Sequence, residues 1–385
     1  MSIRYPEKLE QWWLARCGAV TGCADMAAAL ESIRPDVARL SDLFTTDRPR
    51  RFAAYAEDDR QRLAYGLFFF PQTFARVQCV MDECRSLEAG WPVIGGAVKI
   101  TDLGCGSGAA ACAVLAGLPE DQPVELEAVD HSPANLRTVS EIVQAQWPAV
   151  NLKTVAMDMT RWAAPASSRD LILVSFALNE AFDVSDEAGF FKWIRMLLST
   201  LAPQGMLVIV EPAGLTSGRR LKQLRDRLAV EGVGRILAPC PHHAPCPLTE
   251  ADGILCHEVR RWQVPDSVAW LNRKLQRTLH DVKFSFLVVA RPDTTLRAGW
   301  QGSGCRCRLV APVSRQKGRL LTAGCFEDGA RLNIEILIRG LDRLAETALC
   351  ALERGARVEL QSPRLLGDGR TLRAEGLLSL FGGGG

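Results

Sequence analysis

Apolar residues recur every three or four positions through the first part of the chain. PEKLEQWWLARCG, the segment from Asp25 to Phe44, and DRQRLAYGLFFFPQTFARVQCVMDEC all carry that spacing, which predicts helices over residues 1–95. Pro71 is placed to open one of them at its first turn. From Val98 the pattern changes. Short apolar runs alternate with helix-like stretches: VKITDLG, VELEAVD, LKTVAMD, DLILVSFAL and GMLVIVEP, the last followed by a helix from about Arg219. Such alternation predicts an α/β domain built on a parallel sheet with crossover helices. CHEVRRWQV and KFSFLVVAR supply two final strands, and the segment before them, APCPHHAPCPLTEADGILC, has no periodicity and too many prolines for a regular helix. From about Pro292 the chain turns strand-like and arginine-rich in CRCRLVAPV, GRLLTAGCF, RLNIEILI and RVELQSP, interrupted by one helix in GLDRLAETALCALERG. The terminal GGGG reads as flexible. The expected organisation is a helical region, 1–95, an α/β domain, 96–292, with a Cys-rich insertion at 238–257, and a basic β-rich region, 293–381.

Composition narrows the function classes. With 48% hydrophobic and 23% charged residues the chain is an ordinary globular protein. A net charge of +2 argues against a strongly basic nucleic-acid binder, but it hides an asymmetry. Residues 1–210 carry 19 basic and 26 acidic side chains, and residues 211–385 carry 27 and 18. A basic second half points to an anionic partner. Two runs concentrate that charge: Arg219, Arg220, Lys222, Arg225 and Arg227, and then Arg306, Arg308, Arg315, Lys317 and Arg319. Both read as phosphate contacts or as solvated faces. The start, MSIRYPEKLEQWW, lacks the apolar core of a secretory signal and the look of a transit peptide. No apolar run is long enough to span a membrane. The expectation is a cytoplasmic chain without disulfides. Its 13 cysteines are then core residues, metal or cluster ligands, or catalytic groups.

The first chemical motif is Asp102-Leu-Gly104-Cys-Gly106-Ser-Gly108, between a predicted strand and a predicted helix. Glycines there let the backbone approach a ligand, and a helix N-terminus offers free N–H groups. Asp130 ends the next strand, 22 residues past Gly108, which suits a carboxylate for ribose hydroxyls. Asp158 ends the third strand, a place for adenine recognition. With an acid before the glycines, D-x-G-x-G-x-G looks like the class I S-adenosylmethionine (SAM) methyltransferase fold, a Rossmann-type sheet, rather than a dehydrogenase. The fourth strand ends in Ser175-Phe-Ala-Leu-Asn179-Glu180, without the D/N-P-P-Y of many base N-methyltransferases. Asn179 and Glu180 there would contact cofactor or substrate, or cap the following helix. No residue stands out as a general base.

The second motif is Cys240-Pro-His-His-Ala-Pro-Cys246, followed by Cys256-His257. Prolines restrict the loop and lower the entropy lost when ligands converge. Thiolates suit zinc or an iron–sulfur cluster. A closed site needs a fourth ligand. His242, His243 and His257 are nearby, and Cys305, Cys307 and Cys325 are distant. Local chemistry favours zinc with a histidine. Cys17, Cys23, Cys79, Cys84 and Cys350 fall in helical apolar patterns, and Cys105 and Cys112 flank the glycine turn, so these seven are expected to pack.

Several segments together resemble the methyltransferase-like small-ribosomal-subunit protein family, a mitochondrial small-subunit assembly factor and its bacterial relatives. They are YGLFFFPQTFARVQCVMDE, TDLGCGSGAAACAVL, VDHSPANL, LVSFALNEAF, GMLVIVEPAG, ILAPCPHHAPCPL, LCHEVRRW and DVKFSFLVVAR, in family order over about residues 60–291. The tail RQKGRLLTAGCFEDGARLNIEI is similar as well. The resemblance implies association with small-subunit ribosomal RNA and a 4Fe–4S cluster on four cysteines. Cys240, Cys246 and Cys256 match the clustered ligands and Cys325 the distant one. It leaves open whether methyl transfer occurs. The function this implies is a SAM-binding, small-subunit-associated protein acting in ribosome assembly or translation, or as an rRNA methyltransferase. The competing reading is a small-molecule SAM-dependent methyltransferase with a structural zinc or iron–sulfur site. A 5-methylcytosine enzyme with Cys240 as nucleophile is weaker, because Cys240 falls a helix too late in the chain.

Overall fold

The computed structural model describes residues 3–23, 25–45, 57–87, 91, 96–165, 167–183, 185–248, 255–297 and 304–380. Residues 249–254 of the expected insertion, the segment 92–95 and the terminal glycines lie outside them. The first residues form a short strand, β1 (Ile3–Arg4), where a helix was expected. Two residues are too few to carry a period. Helix α1 (Glu7–Thr21) buries Leu9, Trp13 and Cys17, spaced by four, and stops at Gly22, whose φ of 71° lets its N–H reach the Gly18 carbonyl. α2 (Met26–Thr45) follows. α3 (Asp59–Ala64) is capped by Asp58, whose carboxylate accepts from the Arg60 and Gln61 N–H groups. It runs through a π-helical turn, Tyr65–Phe69, into α4 (Phe70–Arg85), where Pro71 sits in the first turn. Gly66 in the π turn lies flat against Trp13, and a Cβ there would stand 2.2 Å from the indole.

The α/β domain runs β2 (Val98–Leu103), α5 (Ala109–Leu115), β3 (Val124–Asp130), α6 (Pro133–Gln146), β4 (Asn151–Ala156), β5 (Arg169–Ser175), α7 (Leu178–Ala181), α8 (Glu187–Thr200) and β6 (Leu201–Pro212). It continues through α9 (Leu215–Val230), β7 (Arg235–Ala238), β8 (Glu258–Gln263), α10 (Asp266–Lys274) and β9 (Asp281–Ala290). The sheet order is β1-β8-β9-β6-β5-β2-β3-β4. β2 to β6 pair in parallel, and β9 runs against β6. Five parallel strands with one reversed strand beside the last is the class I SAM methyltransferase layout. The central strands β2, β5 and β6 are buried on both faces, which is why they read as unbroken apolar runs.

β7 was not legible in the sequence. It pairs with β9 through Ala238↔Val288, and β8 takes up the same side of β9 from Glu258↔Phe284. The two are halves of one strand position. The Cys-rich segment loops out between them, starting after the cis peptide Ala238–Pro239.

A second sheet holds β10 (Cys305–Leu309), β11 (Ser314–Gln316), β12 (Arg319–Phe326) and β13 (Arg331–Leu337). It closes with β14 (Arg357–Gln361), β15 (Arg364–Leu365), β16 (Thr371–Ala374) and β17 (Gly376–Ser379), and α11 (Arg343–Cys350) packs beside it. The order is β15-β16-β13-β12-β10-β14-β17, with β11 on β12. It has its own core around Cys307, Ile334, Ile336 and Val358. No described helix is long and apolar enough to cross a membrane.

The two sheets meet around one guanidinium. Arg308 of β10 is 2% exposed. It reaches Glu83 of α4 at 3.0 Å and Glu258 of β8 at 2.9 Å. Arg260 joins Glu258 and donates to the Arg354 and Gly355 carbonyls at 2.7 Å. Arg357 of β14 lies 3.7 Å from Glu83. Burial pushes the Glu258 carboxyl up, but Arg260 and Arg308 outweigh it and hold it below the usual range. Removing one side of such a buried pair strands charge. Arg308→Met is expected to cost about 3–5 kcal/mol in urea denaturation, and adding Glu83→Gln and Glu258→Gln to it should recover part of that loss.

Candidate functional site

The glycine turn sits where β2 hands over to α5. Gly104, Gly106 and Gly108 have φ of 70°, 52° and 87°, a region closed to most side chains. A Cβ on Gly104 would come 2.6 Å from the Ala177 methyl, and one on Gly108 3.0 Å from Val139. Gly106 faces open space within 4 Å. The turn is a cradle made by two tight glycines and one open one.

The acids around it divide. Asp130, at the end of β3, is 5% exposed. Its carboxylate accepts from the Gly106 N–H at 2.9 Å and the Ser132 N–H at 2.8 Å, so it holds the turn in shape. Asp158 is exposed and accepts from the Thr160 N–H and hydroxyl at 2.9 and 2.7 Å, capping a short 3-10 turn. Asp102 is fully buried. One of its oxygens accepts from the Ala111 N–H at 3.1 Å, and the other, Oδ1, has no partner. Burial, with a smaller push from Asp130, raises its carboxyl to about 7 against the Ala111 hydrogen bond.

Past β5, Phe176 takes a left-handed φ of 58°. Asn179 is neither cap nor free: its amide donates to Glu211 at 3.1 Å and to the Ser217 hydroxyl at 2.6 Å, while its Oδ1 is buried without a partner. Glu211, which the sequence reading passed over, also accepts from the Leu178 N–H at 3.1 Å. Its signal was a lone acid closing the apolar run of β6.

A pocket on the other side of β9 is lined by Cys240, Cys246 and Cys256, with Pro239, Leu255 and Phe286 among its walls. No residue of the glycine turn lines it. Arg225 of α9, 3% exposed, ties the loop by donating to the His242 carbonyl at 2.6 Å and to the Ala244 carbonyl. The Asp226 carboxylate accepts from the Cys246 N–H at 2.8 Å. Burial first, and then the charge on Cys240, raise the Cys246 and Cys256 thiols. Burial raises Cys325 to about 12, with Cys240 and Cys246 adding to it. Strand alternation explains which distant cysteine reaches the loop. Cys307 pairs with Phe326, and both face the core of the second sheet. Arg308 pairs with Cys325 on the opposite face, toward the loop. Cys305 packs against the same core as Cys307.

The histidines take other duties. His242 Nε2 lies 3.2 Å from the Cys325 sulfur, and its Nδ1 lies 3.0 Å from the Ala244 carbonyl. The Arg225 guanidinium, a donor, also lies 3.2 Å from Nδ1, so the tautomer decides whether Nδ1 donates to the carbonyl or accepts from the arginine. His257 lies 2.9 Å from Arg354, and His243 is exposed. Among the described residues, no group of three or more His, Cys, Asp or Glu side chains is gathered tightly enough to hold a metal ion.

The two basic runs are not continuous faces. Arg220 points inward to the carbonyls of Phe182 and Asp183 at 3.1 and 2.9 Å, and Arg225 and Arg308 are buried. Arg306, Arg315 and Arg319 pair with Glu359, Glu346 and Glu335. Of the expected packing cysteines, Cys17, Cys79, Cys84, Cys105 and Cys112 are buried, Cys23 is half-buried and Cys350 is exposed.

A family described as the mitochondrial small ribosomal subunit protein Rsm22 matches residues 59–339. The chain belongs to the Rsm22 family. Two fission-yeast relatives, the mitochondrial Rsm22-cox11 tandem proteins 1 and 2 of Schizosaccharomyces pombe, are each 22% identical to it over 82% of the chain and 45% of their own length. The chain thus spans about half the length of the curated relatives it matches. Its fold is similar to that of an rRNA methylase from Streptococcus thermophilus, at 11% identity over 57% of the chain and 93% of that protein, with a TM-score of 0.31. A TehB-like SAM-dependent methyltransferase from Corynebacterium glutamicum is 14% identical over 57% of the chain and 87% of its own, with a TM-score of 0.32. The family is described as a small-ribosomal-subunit one, and the sheet of this chain has the methyltransferase layout. The cytoplasmic location expected from the start of the sequence is overturned: the Rsm22 family is described as mitochondrial, and both relatives are named so. Leader-like composition is a weak guide beside a match across most of the chain.

Asp102 gives this Rsm22-family chain a pH signature. Its carboxyl is raised from 3.8 to about 7, so the folded state keeps a proton that the unfolded chain releases in that window. Stability from this group is complete below about pH 4 and is lost as the pH rises through 7. Asp102→Asn should therefore melt above the parent protein at pH 8, with the gap closing toward pH 4 in a thermal-melt series.

Proposed function

We propose that this chain is a small-ribosomal-subunit-associated protein that binds SAM at the glycine turn and holds a 4Fe–4S cluster on Cys240, Cys246, Cys256 and Cys325. The observation that carries the reading is the split strand. β7 and β8 share one position beside β9, and the Pro-rich loop between them brings three thiols to one pocket while β12 presents Cys325 to the same loop. A cluster on four thiolates is anionic, and buried Arg225 and Arg308 stand beside these thiols to offset it. With metal bound the thiols give up their protons. The cluster would then tie the second sheet to the methyltransferase-like core.

The residues at the turn also fit SAM, which supplies a methyl group on a sulfonium. Gly106 leaves space for backbone approach, and the orphaned Asp102 Oδ1 is an acceptor facing no partner. The turn, with Gly104 and Gly108 shaping it, would cradle the cofactor, and Asp130 and Asp158 would add contacts to ribose and adenine beside the backbone bonds they already make. Asn179 is spent on Glu211 and Ser217, which favours cofactor binding in ribosome assembly over turnover on an RNA base. A small-molecule methyltransferase would leave the cysteine loop and the arginine-rich sheet without purpose.

Anaerobically purified protein should be brown and hold about four irons and matching sulfide. Cys246→Ser and Cys325→Ser should each lose the visible absorbance. Stoichiometric zinc without iron or sulfide overturns the cluster assignment. Affinity for small-subunit ribosomal RNA should fall steeply with salt and exceed that for an unrelated RNA. Equal, weak binding to any polyanion would leave only non-specific attraction.

A further inference from the structure

The run from Asp59 to Arg85 carries a feature that the glycine turn and the cysteine loop do not use. Its helix is broken at Tyr65–Phe69 by a π turn, a feature found frequently at functional sites. Downstream of that turn, Arg76 reaches the ring of Phe176, with 5.1 Å from its guanidinium carbon to the ring centre. Phe176 is the left-handed residue just past β5, and its neighbour Ala177 is the residue against which Gly104 is packed. Arg76, Phe176, Ala177 and Gly104 thus form one continuous wall beside the glycine turn. Tyr65 completes it: its burial-raised phenol is bonded to Thr73, lies within the field of Arg76, and feels Glu180 and Asp130.

Arg76 is a cation without an anion. Its Nε is buried and has no hydrogen-bond partner, and the bond that Nη2 donates to the Gln72 side chain is long at 3.4 Å. Among the described residues no carboxylate pairs with it, whereas Arg308 and Arg319 in the same chain are each bonded to acids. A half-buried guanidinium with an unpartnered Nε and no counter-charge is costly. Asp102, two residues before Gly104 in the same turn, is the reverse case, a fully buried carboxyl with an orphaned oxygen and no cation. One ligand resolves both. The amino-acid end of SAM is a zwitterion, with an ammonium for Asp102 and a carboxylate for a bidentate arginine.

We propose that Arg76 receives the α-carboxylate at the amino-acid end of SAM and of S-adenosylhomocysteine. The inference rests on the reading of the glycine turn as a SAM site. Its test uses two ligands that share the adenosine and thioether: S-adenosylhomocysteine, which has the amino-acid end, and methylthioadenosine, which lacks it. Calorimetric titration of the full-length protein should show Arg76→Met weakening S-adenosylhomocysteine by about tenfold or more while leaving methylthioadenosine unchanged. Arg76→Lys, which keeps the charge but not the fork, should lose less, and only for S-adenosylhomocysteine; it carries the test if the Met variant does not fold. Unchanged affinity for S-adenosylhomocysteine in either folded variant, or equal weakening of both ligands, overturns the role of Arg76 and leaves the cofactor site standing. A parent protein that binds neither ligand overturns both.

Discussion

A single buried arginine decides how this chain is put together. Arg308 leaves the second sheet and is received by Glu83 of a helix that precedes the first sheet and by Glu258 at the start of β8. It also donates to the Pro239 carbonyl at 3.3 Å, where the cysteine loop begins. An ion pair this deep is weak evidence for net stability, because desolvating three charges offsets most of their attraction. Its effect is on geometry. Arg260 already meets Glu258 from within β8, and the second cation arrives only when β10 is docked, so the pair favours one placement of the second sheet against the first. Cys325, directly across from Arg308 in the β10–β12 pair, is carried to the loop by the same docking.

The cysteine loop depends on this arrangement from both ends. Arg225 and Asp226 of α9 hold its first half through the His242 carbonyl and the Cys246 N–H. Arg354, beyond α11, holds its far end by donating to the Leu255 carbonyl at 3.1 Å. Among its described residues, the backbone groups of His242, Ala244, Cys246 and Leu255 are met by charged side chains from elements on either side, which is what an irregular segment packed against a core requires.

Much of the fold was legible because its signals are local. β2, β3, β5, β6 and β9 are apolar runs between turn residues, and the three glycines lie where the turn needs left-handed backbone. β7 was missed because RILA is four residues long and its partner, β9, comes about fifty residues later. Cys325 was singled out by resemblance alone; that it, rather than Cys305 or Cys307, reaches the loop follows from the two-residue alternation of β10 and β12, which no spacing count contains. Arg220, Arg225 and Arg308 were misread as surface for a related reason. Composition registers that an arginine is present but not which way its strand or helix turns it.

That misreading also changes what the charge asymmetry means. The first half of the chain is acidic and the second basic, and taken alone the second half calls for an anionic partner. Part of that partner is the first half itself. Glu83 belongs to the acidic half, and Arg308 and Arg357 of the basic half close on it. The opposite net charges therefore do two things in sequence. They draw the second sheet onto the first, and the pairs they form are buried and screened little by salt. What is left for an outside polyanion is the exposed remainder, such as Arg319 and Arg373, each already shared with Glu335. An arginine held by an acid at the surface is oriented but not neutralised in water, so a phosphate can still compete for it. An RNA contact made by this sheet would for that reason respond to salt far more strongly than the docking of the sheet itself.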